Sequence, residues 1–108
     1  MNLHDEILNQ ALLLSMEWGE NWLQPVNDRL SKIYPELSHR ELTWCNSLCT
    51  EVNKEAHRFV YENPVFNGPD IGFVDVKIFS TQVLKKFGWI NKENLQRLYS
   101  QSCYYARK

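Results

Sequence analysis

The chain has 108 residues, of which 44% are hydrophobic and 23% are charged, and its formal net charge at pH 7 is −1. This length suits one domain, and the composition excludes disordered and fibrous proteins. Three cysteines without a paired spacing favour free thiols in the cytoplasm over a disulfide framework. Acidic residues near the N-terminus argue against a signal peptide, and no apolar run is long enough to span a membrane.

The first predicted helix runs from His4 to Leu23. Its apolar side chains fall on two stripes of a helical wheel, and only a narrow edge is polar. A helix with one face in water would carry a single stripe, so we expect this helix to be the central one, packed among the others. The stripes consist of Ile7, Leu8, Ala11, Leu14, Ser15, Trp18 and Trp22, and of Leu12, Met16 and Leu23.

Two further helices follow. Pro25 should end the first helix, and it suits the start of a short second helix that reaches about Tyr34. Ser38 and Glu41 form a capping box, which predicts a third helix from residue 39 to about 62. Trp44 falls on the shoulder of this helix, and its opposite, exposed arc includes His57. The predicted core stripe consists of Leu42, Cys45, Leu48, Cys49, Val52, Ala56, Phe59 and Val60.

Residues 63–73 carry two prolines and two glycines, which predicts an irregular connection. Residues 74–79 alternate like a strand, but a lone strand would have no partner, so we expect a helix that reaches Phe87. Gly88 suits a left-handed cap after this helix. Asn91 should cap the last helix, whose predicted buried side is Leu95, Leu98, Tyr99, Ser102 and Ala106. The expected fold is all-α, a single-domain bundle over residues 1–108 with four main helices and one short helix.

The residues that could carry chemistry do not converge. Cys45 and Cys49 share a helix face, but structural zinc needs a second ligand pair, so we expect both thiols to pack in the core. His39 and His57 lie about 27 Å apart along one helix and cannot share a ligand. The sequence has no nucleophile elbow, zinc-protease motif or phosphate-binding glycine loop. We therefore expect no catalytic site, no metal site and no cofactor.

Exposed aromatic and apolar residues favour a protein-interaction role of the regulatory, adaptor or inhibitor type. The predicted contact residues are Trp44, Phe66, Ile71 and Tyr104. The partner is a protein of unknown identity, and the Trp44 shoulder would also allow a symmetric homodimer. In the alternative interpretation, the apolar residues Val65, Phe66 and Phe73 cover the open end of the bundle.

A second function is suggested by the uneven charge of the chain. Residues 1–74 carry a net charge of −6 and residues 75–108 carry +5, which indicates either attraction within one fold or binding of a partner or nucleic acid. Residues 75–107 predict two helices joined by a tight turn, similar to a helix-turn-helix unit. Its exposed face would offer Arg97, Gln101, Tyr104 and Arg107 to DNA bases and phosphates. The pI of about 6.3 is low for a dedicated DNA-binding protein.

Overall fold

The computed structural model describes residues 3–17 and 19–107. These residues form an all-α chain with one small two-stranded sheet, which confirms the predicted fold class. None of the helices in these ranges is both long and apolar enough to cross a membrane. The helices are α1 (Asp5–Ser15), α2 (Asn27–Ile33), α3 (His39–Glu62), α4 (Val76–Lys86) and α5 (Lys92–Arg107), and the strands are β1 (Val65–Asn67) and β2 (Asp70–Gly72).

The chain divides into two compact units, residues 1–52 (unit 1) and residues 53–108 (unit 2), and α3 contributes to both. The single domain expected over residues 1–108 stays a prediction. Each unit has its own buried apolar side chains. In unit 1 these are Leu8, Ala11, Leu12, Met16, Val26, Leu30, Leu42, Cys45, Cys49 and Val52. In unit 2 they are Ala56, Val60, Val74, Phe79, Val83, Phe87, Ile90, Leu95 and Leu98.

The first helix ends earlier than the sequence predicts. α1 stops at Ser15, and the predicted continuation to Leu23 is wrong, while Trp18 lies outside the described residues. Gly19 has φ +96° and Leu23 has φ +61°, values that a right-handed helix does not contain. The Ser15 carbonyl accepts the N–H of Leu23 at 3.0 Å. The chain therefore folds back onto the end of α1.

Arg29 of α2 holds this reversal in place. Its guanidinium donates to the carbonyl of Leu14 at 2.8 Å and to that of Gln24 at 3.2 Å, and it pairs with Glu17 at 2.7 Å. The last carbonyls of a helix have no partner within the helix, and a cation there is favourable. A tertiary contact thus stabilises the end of α1, and no periodicity in residues 4–23 signals it.

The third helix has the bounds predicted from its capping box. The N–H of Ser38 donates to Glu41 Oε1 at 2.9 Å, and the N–H of Glu41 donates to Ser38 Oγ at 3.1 Å. Most of the predicted core stripe is buried, and Leu48 and Phe59 are half-buried. The prediction that His57 is exposed is wrong, since its side chain is only 7% exposed. The ring of Tyr105 from α5 covers it, with the ring centroids 4.7 Å apart.

The helix predicted after residue 74 is confirmed as α4, and Asp75 caps it by accepting the N–H of Lys77 at 2.7 Å. The left-handed cap expected at Gly88 is wrong, because its φ lies outside that region. Phe87 is buried instead, and its N–H closes α4 on the Val83 carbonyl at 2.8 Å. Asn91 caps α5 as predicted, accepting the N–H of Asn94 at 2.9 Å.

Candidate functional site

Residues 65–72, predicted to be irregular, form a β-hairpin. Its cross-strand pairs are Val65 with Gly72, Phe66 with Ile71, and Asn67 with Asp70, which leaves a two-residue turn. The first turn residue, Gly68, has φ +64°, and Pro69 fixes the next φ near −65°. This pair of φ signs suits a type II′ turn, whose twist matches antiparallel strands. The strands are too short for alternation to show, but the Gly-Pro pair between Phe66 and Ile71 was a signal for the hairpin.

The hairpin presents two large apolar side chains to solvent. Phe66 and Ile71 are each 70% exposed, and cross-strand partners project from the same face of a sheet. Every described side chain from residue 61 to residue 71 is exposed. The alternative in which Val65, Phe66 and Phe73 cover the end of a bundle is therefore wrong for Val65 and Phe66, while Phe73 is half-buried. The exposed apolar pair of Phe66 and Ile71 is therefore a candidate contact site.

The base of the hairpin is fixed to α5. The Tyr99 hydroxyl donates to the carbonyl of Val74 at 2.7 Å, and Val74 is buried. Burial, and then the neighbouring Cys103 thiol, raise the pKa of Tyr99 above its ordinary value of 10. The guanidinium of Arg107 lies over the Phe73 ring, 5.4 Å from its centroid. The hairpin is therefore anchored at its base and exposed at its tip.

The other predicted contact residues lie apart in the sequence and on different elements. Tyr104 is exposed on α5 in unit 2, and Trp44 is half-buried on α3 in unit 1, as its shoulder position predicted. Phe66 and Ile71 are directly paired across the hairpin. Their roles in partner binding stay predictions.

The helix-turn-helix alternative loses one of its four predicted contact residues. α4, the turn at residues 87–91 and α5 follow the expected order, and Arg97, Tyr104 and Arg107 are exposed. Gln101, however, is only 1% exposed, so its predicted place on the outer face is wrong. The buried face of α5 is centred about 50° from the predicted one, because the amides of Asn94 and Gln101 are buried with its leucines.

Comparisons with protein-family models, with curated proteins and with solved structures find no match.

The buried thiols have the electrostatics of packing residues. Burial first, and then Glu41, raise the pKa of Cys45, and burial is the main cause that raises the pKa of Cys49 to about 12. Burial also raises the pKa of the half-buried Cys103. A thiol with a raised pKa holds little thiolate at pH 7 and is a poor nucleophile or metal ligand. The expected core packing of Cys45 and Cys49 is confirmed.

His57 is a buried titratable group of unit 2. Burial lowers its pKa to about 4, so its imidazole is neutral at pH 7. Among the described residues its Nε2 has no hydrogen-bond partner. Within residues 3–17 and 19–107, no three His, Cys, Asp or Glu side chains lie close enough together to bind a metal ion.

Proposed function

We propose that this chain is a non-enzymatic protein-interaction domain of the regulatory, adaptor or inhibitor type, and that the hairpin at residues 65–72 docks into its partner. The exposed pair of Phe66 and Ile71 carries the proposal. Apolar side chains that stay in water in the free protein gain free energy when a partner covers them. The favoured partner is a protein with an apolar pocket that accepts both side chains.

The anchored base of the hairpin supports this role. A two-stranded hairpin alone is marginally stable, but here the Tyr99 hydroxyl and the Arg107 guanidinium contact the segment that follows β2. A binding element that is already ordered loses less conformational entropy on association. The contacts of Tyr99 and Arg107 therefore increase the affinity for a partner, although these two residues need not contact the partner themselves.

The thiol chemistry argues against a cysteine nucleophile. Cys45, Cys49 and Cys103 all have raised pKa values, which is the opposite of what nucleophilic catalysis needs. All three are free thiols, and free thiols support the expected cytoplasmic location.

A quantitative capture experiment tests the proposal. The wild-type chain, a Phe66→Ser/Ile71→Ser variant and an Ile33→Ser control are immobilised and exposed to an extract of the cells that make the protein. Ile33 is an exposed apolar residue of α2 in unit 1, so the control removes an exposed apolar side chain and leaves the hairpin sequence unchanged. We expect at least one protein to bind the wild type and the control but not the hairpin variant. Loss of two buried apolar contacts should weaken binding by roughly 3 kcal/mol, or about 100-fold.

The folded state should tolerate the hairpin variant, because neither side chain is buried in the free chain. We expect its free energy of unfolding to change by less than about 0.5 kcal/mol. The same captured proteins on all three forms, with folding intact, would exclude the hairpin as the docking element.

A second copy of the chain is the other proposed partner. Sedimentation velocity at increasing protein concentration detects such a homodimer. A dimer that Trp44→Ala disrupts and the hairpin variant leaves intact would place the contact on the α3 shoulder instead.

A further inference from the structure

The outer face of α4 combines exposed lysines with exposed apolar side chains. Lys77, Thr81 and Lys85 follow one another at intervals of four residues and so share a face. Ile78, which is 58% exposed, and Leu84 flank this row on either side. An exposed helix face of this composition suits a partner that has both acidic and apolar groups.

Carboxylates of residues 3–17 and 19–107 leave two of the lysine charges on this face without an ion-pair partner. The α4 sequence has three lysines and no acidic residue. Lys86 pairs with Glu55 of α3 at 3.2 Å, whereas neither Lys77 nor Lys85 has a carboxylate partner in residues 3–17 and 19–107. Eight residues of helix place these two lysines about 12 Å apart. Unit 2 also carries nine basic and five acidic residues, a net charge of +4.

A groove runs beside this face, between α3 and α4. Gln82 borders both the face and the groove, which has a volume of about 160 Å³. Three of its nine lining residues, Phe59, Val83 and Phe87, are apolar, and the other six are polar or charged. A space of about 150 Å³ holds a benzene-sized group, so the groove accepts one leucine or phenylalanine side chain.

The rim of the groove is already paired. Glu55 pairs with Lys86, and Arg58 lies 3.4 Å from Glu55 and 3.9 Å from Glu62. The charges left for a partner are thus the two lysines of the outer face, and the groove offers apolar contact.

We propose that α4 and this groove dock an acidic amphipathic helix of a protein partner. One apolar side chain of that helix enters the groove, and its carboxylates, about 12 Å apart, meet Lys77 and Lys85. Two unpaired lysines are fewer than the clusters of four to eight that hold proteins on anionic membranes. The phosphate contacts of duplex DNA would make no use of the exposed Ile78 or of the three apolar side chains in the groove. This surface is separate from the hairpin contact, so either proposal can fail alone.

A designed probe tests the inference on the full chain. It is a fluorescent helical peptide of about 18 residues, with leucines along one stripe and glutamates beside them. We expect binding that weakens with added salt. The Lys77→Gln/Lys85→Gln variant should bind about fivefold more weakly, since two solvent-exposed ion pairs are lost. The Lys54→Gln/Lys92→Gln variant has the same net charge but changes exposed lysines on α3 and α5, and it should bind like the wild type.

A second pair of variants separates this site from the hairpin. Ile78→Ser should weaken binding of the peptide about tenfold, whereas Ile71→Ser should leave it unchanged. The inference is overturned if the peptide does not bind, or if the two double-lysine variants lose affinity equally. It is also overturned if vesicles of phosphatidylcholine and phosphatidylserine, or a generic DNA duplex, bind where the peptide does not.

Discussion

Acidification should destabilise this protein through one buried imidazole. His57 is 7% exposed and stacks on Tyr105, and burial lowers its pKa to about 4 from the ordinary 6.5. Between these two values the unfolded chain binds a proton at His57 and the folded chain does not. Stability must therefore fall as the pH falls from 6.5 towards 4, and the loss is complete below the folded-state pKa.

The size of the loss follows from the two pKa values. At pH 7.5 the imidazole is neutral in both states and contributes almost nothing. At about pH 4.5, protonation of His57 in the unfolded state lowers the free energy of unfolding by roughly 2–3 kcal/mol, since each pKa unit corresponds to about 1.4 kcal/mol. This is a large part of the 5–15 kcal/mol that is typical of a small domain.

Urea unfolding of the wild type and of His57→Phe at both pH values measures the effect. Carboxylates titrate in the same range, but their contribution is common to both proteins and cancels when the two pH-dependent losses are subtracted. We expect the wild type to lose roughly 2–3 kcal/mol more than the variant, whatever the variant's own stability. His39→Gln changes an exposed histidine and should keep the wild-type loss. Equal losses in the wild type and His57→Phe would refute the reasoning.

Three further predictions concern the local contacts. Arg29→Ala should lower the free energy of unfolding by about 1–3 kcal/mol, because the Leu14 carbonyl loses a charged donor; unchanged urea unfolding would contradict this. Gly68→Ala should raise hydrogen exchange in the hairpin about fivefold, since an alanine with positive φ costs about 1 kcal/mol. Apart from the two chain neighbours of this residue, no atom in the described part of the chain lies within 4 Å of the added Cβ, so backbone strain is the expected cause. Gly72→Ala, without a positive φ, should not raise the exchange, and equal exchange in both would contradict the strain argument. In a titration with generic duplex DNA at low salt, we expect either no binding or binding that Arg97→Ala leaves unchanged. Binding that Arg97→Ala weakens would support the helix-turn-helix alternative.

The sequence predicts the fold where local signals determine it. The capping box of Ser38 and Glu41 and the cap at Asn91 both form as predicted, because each depends on residues within one turn. The end of α1 does not follow from local signals, since the guanidinium that caps it comes from Arg29 in the next helix. Apolar periodicity describes which residues can be buried and does not specify where the chain reverses.

The candidate site was predicted in part. Phe66 and Ile71 were identified from their apolar character in a loop, but their pairing across two three-residue strands was not, because such strands show no alternation. The burial of Gln101 and His57 was missed for a different reason. The buried face of a helix is predicted from its hydrophobic residues alone, so buried amides and imidazoles are assigned to the exposed face.

The most direct test of the hairpin's role is site-specific photo-crosslinking in the cells that make the protein. A benzophenone-bearing phenylalanine analogue replaces Phe66 in one form and Ile33 in another. We predict a defined covalent adduct with a partner protein from position 66 and none from position 33. Adducts of the same mass and yield from both positions, or no adduct from position 66, would contradict the account.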